Sequence, residues 1–137
     1  MDGQLKAGTF LTSESSNKYK VNALLGAGGQ GEVYDVECGG KHYALKWYFK
    51  HMATKSQKEI LDNLITRGAP DDSFLWPQDL IFKGYGESFG YIMPLRPKNF
   101  KSIVDMMKRR AEPSFRTLCK AAYNLTNGYQ KLHTMGY

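Results

Sequence analysis

Covalent and metallic staples are scarce in this chain. Its 137 residues include two cysteines, Cys38 and Cys119, too few for the disulfide framework of a small secreted domain. Both are expected as small, buried or half-buried thiols in a reducing cytosol. Three histidines, His42, His51 and His133, are scattered without metal-ligand spacing, so no metal is assigned to them. No apolar run approaches the ~20 residues of a membrane helix, and no basic-then-apolar leader opens the chain. A cytoplasmic location without membrane contact is expected. There is no internal repeat and no low-complexity linker. Charge of one sign is in modest excess, 19 Lys and Arg against 13 Asp and Glu, a net charge of +6. That excess is spread along the chain. Its densest cluster, Lys108-Arg109-Arg110, falls at an expected helix end, where cations complement the dipole. No nucleic-acid partner is expected on this ground.

What is present is the composition of a packed protein, 42% hydrophobic and 13% aromatic. The most informative stretch is Leu25-Gly26-Ala27-Gly28-Gly29-Gln30-Gly31-Glu32-Val33, a G-x-G-x-x-G-x-V pattern. The glycines alone are ambiguous, because two unrelated phosphate-binding designs share them. A dinucleotide-binding fold needs a helix directly afterwards. Here Glu32 to Cys38 alternates valine and tyrosine with polar residues, which predicts a strand. Gly39-Gly40 supplies a two-residue turn, since both central positions tolerate φ > 0. Lys41 to Phe49 returns as the next strand and carries Tyr43-Ala44-Leu45-Lys46. The glycines therefore sit at the bend of a hairpin. Backbone at Gly26, Gly28 and Gly31, lacking Cβ atoms, can approach phosphate oxygens and offer them N–H groups. Lys46 would add a point charge, and Leu25, Val33 and Ala44 an apolar roof for a purine.

The remaining elements follow from period and punctuation. Gly8 to Thr12 is a candidate strand, and Tyr19 to Leu25 leads into the glycine bend. After Phe49 the period becomes helical. Thr54 with Gln57 and Ser56 with Glu59 both fit a capping box; Ile60, Leu61, Leu64 and Ile65 form a stripe, and Gly68-Ala69-Pro70 ends it. Strands are expected at Asp79 to Lys83 and Phe89 to Met93, with residues 84–87 turning between them. Phe100, Ile103, Val104 and Met107 predict one further helix closed by Pro113. Ser114 caps another that carries Leu118, Ala122, Leu125, Tyr129 and Leu132 and ends near Gly136.

Taken together, the glycine bend, the lysine of Tyr43-Ala44-Leu45-Lys46 and the segments Phe74-Leu75-Trp76-Pro77 and Tyr91-Ile92-Met93-Pro94 resemble bacterial protein kinases of eukaryotic type. The resemblance covers nearly the whole chain from about Tyr19. It implies an α+β fold: an N-lobe over residues 1–95, with a five-stranded antiparallel sheet and helix C, then the first two helices of a C-lobe over 96–137. It implies ATP held by Leu25, Gly26, Ala27, Gly28, Gly29, Gln30, Gly31, Val33, Ala44 and Lys46. Adenine would be read at a hinge of Met93, Pro94, Leu95 and Arg96, where Pro94 keeps its carbonyl and Arg96 its N–H. A helix-C glutamate would pair with Lys46. Gln57 shares the phase of the apolar stripe and Glu59 lies nearly opposite, so phase favours Gln57 and charge favours Glu59. Glu59 is taken here as the partner.

The ending Leu132-His133-Thr134-Met135-Gly136-Tyr137 is similar to the segment that precedes the kinase catalytic loop. In that family an aspartate, an asparagine and a second aspartate of the following segments take the proton and hold Mg²⁺. No H-R-D or D-F-G occurs in this sequence. The expectation is a kinase truncated before its catalytic loop and inactive alone. The full-length parent would use ATP and Mg²⁺ to phosphorylate protein hydroxyls, of serine and threonine by type. The alternative is a pseudokinase-like nucleotide-binding or scaffold module. Apolar helix faces left uncovered in the C-lobe part imply self-association.

Overall fold

Alternating apolar and polar residues build the first of two compact units, Met1–Arg96; the second is Pro97–Tyr137. The computed structural model describes residues 3–83 and 88–137, so the turn expected at 84–87 lies outside the described residues. The first unit is a six-stranded sheet with one helix. Its strands are β1 (Phe10–Thr12), β2 (Lys18–Gly28), β3 (Gly31–Cys38), β4 (Lys41–Tyr48), β5 (Asp79–Phe82) and β6 (Phe89–Pro94). They stand in the order β1-β2-β3-β4-β6-β5. Every pairing is antiparallel. The five expected strands are present, and the candidate strand near Gly8 to Thr12 joins them as β1. Beyond β1, Ser13 bridges Ile81, and the Glu14 N–H donates to the Leu80 carbonyl at 2.8 Å. The sheet thus curls until its two edges meet, which removes exposed strand edges. Gly39 and Gly40 have φ of 57° and 78°, as a type I′ hairpin turn requires.

Period two divides β4 cleanly. Leu45 and Trp47 enter a core with Tyr19, Val21, Tyr34, Val36, Ile81 and Ile92, closed by Leu5 and Leu11. The opposite face receives α1 (Lys55–Arg67), which buries Leu61 against Tyr48, Leu80 and Phe89, with Leu64 and Ile65 alongside. Burying a leucine in this way contributes about 2 kcal/mol. The Thr54 hydroxyl caps α1 by accepting from the Gln57 N–H at 3.2 Å. Gly68, at φ 76°, ends it with an N–H donated to the Leu64 carbonyl at 3.0 Å. Ile60, expected in the apolar stripe, stays 51% exposed because it stands 100° round the helix from Leu61.

In the second unit, α2 (Ile103–Met107) is shorter than its apolar spacing suggests. Ser102 and Asp105 form a reciprocal capping box that starts the helix, leaving Phe100 ahead of it. Lys108 closes α2 and Arg109 adopts φ 53°, so the basic cluster follows the helix directly. Helix α3 (Phe115–Thr134) begins at the expected cap, Ser114. It ends in a Schellman motif: Gly136 has φ 78°, and the N–H groups of Gly136 and Tyr137 donate to the carbonyls of His133 and Leu132, each at 3.0 Å. Neither α2 nor α3 buries a residue, and Leu118, Leu125 and Tyr129 are all exposed. Both cysteines are free; Cys38 is half-buried as expected, whereas Cys119 is exposed because α3 buries none of its residues. Among the described residues no helix is long and apolar enough to cross a membrane.

Candidate functional site

Register, not sequence proximity, assembles the site. Val33 stands opposite both Gly26 and Lys46, Ala44 opposite Met93, and Lys46 opposite Tyr91. Paired residues share a face, so Gly26, Val33, Ala44, Lys46, Tyr91 and Met93 lie on one side of the sheet. It is the same side that α1 covers further along, over Tyr48, Leu80 and Phe89. Ala44 is buried, Val33, Lys46 and Met93 are half-buried, and Leu25 stands exposed where β2 slips register between Leu24 and Gly26. Among the described residues no carboxylate reaches ion-pairing distance of Lys46.

The bend itself is open. Gly28 pairs with Gly31, and Gly29-Gln30 makes the turn. A Cβ added at Gly26, Gly28 or Gly29 would meet nothing within 4 Å, and none of the three has a left-handed φ. Neither packing nor backbone conformation therefore demands glycine there. Gly31 differs, because a Cβ on it would run into the Trp47 carbonyl. The Gln30 carbonyl accepts from the Phe49 N–H at 3.0 Å, which ties the bend to the end of β4. Among the described residues the N–H groups of Gly29 and Gln30 have no hydrogen-bond partner. Ala27 is exposed beside them. At the far edge, Met93 and Pro94 end β6; Leu95 is half-buried and Arg96 exposed, its N–H unpaired among the described residues.

Glu59 does not meet Lys46. Its carboxylate lies 3.8 Å from the Lys55 ammonium, with both side chains largely in solvent. The reason is phase: at 100° per residue Glu59 stands nearly opposite the buried Leu61. Gln57 occupies the inward phase instead, and its amide donates to the Tyr48 hydroxyl at 3.2 Å rather than folding back on its cap. Burial raises the Tyr48 hydroxyl above its ordinary pKa, against the bond from Gln57. Burial also pushes Tyr91, the neighbour of Lys46, up to about 12, with Tyr48 adding to the rise. Both tyrosines therefore stay neutral hydroxyls on this face at physiological pH.

Sequence reasoning overlooked Glu32. It is buried, and its Oε2 accepts from the Gln4 N–H at 2.9 Å and from the Tyr34 hydroxyl. Alternation carried the signal, since it places Glu32 on the apolar side with Tyr34 and Val36. A charge on that side calls for partners.

A curled antiparallel sheet, one helix on its face, a glycine hairpin and a lysine on the next strand but one define a protein-kinase-like fold, with an N-lobe and the beginning of a C-lobe. Solved structures bear this out. The kinase domain of PknI from M. tuberculosis superposes with a TM-score of 0.69 at 20% identity, over 96% of this chain and 52% of that one. Vaccinia-related kinase 3 gives 0.63 at 18% identity, over 96% of this chain and 43% of that one. The chain thus spans about half the length of the solved kinase structures it matches. No protein-family model and no curated protein matches it.

The residues present fit a nucleoside triphosphate: a cradle that Cβ atoms would fill, unpaired N–H donors, an ammonium group and an apolar floor. Among the described residues no group of three or more His, Cys, Asp or Glu side chains comes together.

Proposed function

We propose that this chain is the ATP-binding portion of a protein kinase. The glycine bend from Gly26 to Gly31 covers the phosphates and Lys46 neutralises their charge. Val33 and Ala44 hold the purine, and Pro94 and Arg96 offer it a carbonyl and an N–H. One observation carries the reading. Gly26, Gly28 and Gly29 are glycine for no reason internal to the fold, beside unpaired N–H groups and above a half-buried lysine. Anion recognition by convergent N–H groups accounts for all three features. In the longer parent, ATP with Mg²⁺ would serve transfer to protein hydroxyls of the serine and threonine type. The metal ligands and the proton acceptor would come from outside these residues, because phosphate binding alone favours ground and transition states alike.

A second reading, a non-catalytic nucleotide-binding module, is favoured by the outward turn of Glu59 and the neutral Gln57 in its stead. Calorimetric titration tests the shared core of both. ATP is expected to bind weakly, with little gain from Mg²⁺, and Lys46→Ala to weaken it roughly tenfold through loss of a charged hydrogen bond. A wild-type chain that takes up no ATP, or a Lys46→Ala chain that binds as well, overturns the proposal. A catalytic-loop aspartate in the parent selects the enzyme over the module.

A further inference from the structure

The residues ahead of β1 form a strap that grips the hairpin just behind the glycine bend. The Gln4 N–H donates to Glu32 Oε2 at 2.9 Å, and the Leu5 N–H donates to the Tyr34 hydroxyl at 3.0 Å. That hydroxyl donates in turn to the same Glu32 oxygen. Leu5 is buried in the core, and Gly3 lies where any side chain would strike the Tyr34 hydroxyl. At its other end the strap is pinned to β2: the Gly8 N–H donates to the Val21 carbonyl at 2.7 Å, and the Val21 N–H to the Thr9 carbonyl at 2.8 Å. Between these points a cavity of about 370 Å³ separates the strap from Val21, Ala23 and Leu24 of β2. The grip on the hairpin is therefore concentrated at Glu32 and Tyr34. Glu32 directly follows Gly31 and stands opposite Ala27 in the ladder, so whatever fixes Glu32 fixes both sides of the bend.

We infer that Glu32 is a positioning residue for the glycine bend, held by the strap through Gln4 and Tyr34, and that releasing the strap loosens the bend and weakens nucleotide binding. The inference rests on the nucleotide reading above. A buried carboxylate is costly to leave short of donors, so the strap and the bend are stabilised together or not at all. Anything that draws the first residues off the sheet then acts on the phosphate cradle without touching it.

Tyr34→Phe keeps the ring and removes the hydroxyl that joins Leu5 to Glu32; Glu32→Gln keeps the shape and removes the charge. In the whole chain, each is compared with wild type by amide hydrogen exchange and by ATP calorimetry. Exchange at Gly26, Gly28 and Gly31, the ladder residues that flank the turn, is expected to rise roughly fivefold while β4 holds, and ATP affinity to fall by a similar factor. Unchanged exchange at the bend, or an equal rise in β4, overturns the inference, the second result marking a purely structural role. If wild type binds no ATP the nucleotide reading fails, yet exchange at these glycines still decides the strap. Should Tyr34→Phe fail to fold, Gln4→Pro, which removes the N–H that donates to Glu32 and also restricts the backbone at residues 3 and 4, is read in the same way.

Discussion

Gly90 and Gly28 are the same residue type in opposite circumstances. A Cβ on Gly90 would run into the Lys46 carbonyl and come within 2.9 Å of Leu45 Cδ1 and Trp47 Cε3. Two of these neighbours are core side chains and the third is backbone, so β6 has to move off β4 beside the lysine. Gly90→Ala is expected to cost about 2 kcal/mol, the range of core overpacking, read by denaturant unfolding. At Gly28 a Cβ meets open space. Gly28→Ala should leave stability within about 0.5 kcal/mol of wild type, or raise it by restricting the unfolded chain. It should still weaken ATP binding, because the methyl group would occupy the space proposed for the phosphates. Equal losses of stability at the two positions would show that the bend glycines serve packing. The G-x-G-x-x-G pattern could not reveal that Gly31 is required by Trp47 while its companions are not. That distinction depends on which backbone crosses behind each glycine.

At the scale of elements, α1 decides what faces Lys46. Glu59→Gln removes an exposed i, i+4 pair with Lys55, expected to be worth about 0.3 kcal/mol, and should leave ATP affinity unchanged. Gln57→Ala removes the bond to Tyr48 on the half-buried side and should cost about 1 kcal/mol. Paired unfolding and calorimetry decide between them; a large fall in affinity for Glu59→Gln would mean that the helix rotates on binding ATP. The helical period marks Gln57 as inward, whereas charge alone points to Glu59. The hairpins were legible because alternation and Gly39-Gly40 are local signals. Closure of the sheet was not, since Ser13 and Ile81 meet from far apart in the chain and no local signal marks the pairing. Apolar spacing extends back to Phe100, whereas the Ser102–Asp105 box fixes where α2 begins.

For the whole molecule, tyrosine burial sets an alkaline limit. Burial pushes the hydroxyls of Tyr19, Tyr34 and Tyr91 each up to about 12, and all three belong to Met1–Arg96. The Asp79 carboxylate near Tyr19 and the Glu32 bond to Tyr34 reinforce the rise. An unfolded tyrosine ionises near ~10. Between ~10 and 12 the unfolded chain therefore binds fewer protons than the folded one, and stability falls as pH rises. The contribution is fully present below the unfolded pKa, and each tyrosine withdraws up to roughly 1.4 kcal/mol per pH unit across the window. Three acting together withdraw at most about 8 kcal/mol by the top of the window, which is comparable with the margin of a domain this size, typically about 5–15 kcal/mol. The sheet unit is expected to unfold cooperatively there, with tyrosinate absorbance and loss of β circular dichroism rising at the same pH. If residue-resolved NMR instead shows Tyr19, Tyr34 and Tyr91 ionising gradually near ~10 while the sheet signal persists, these hydroxyls are reached by solvent in the folded state, and the core beneath the bend is looser than its packing implies.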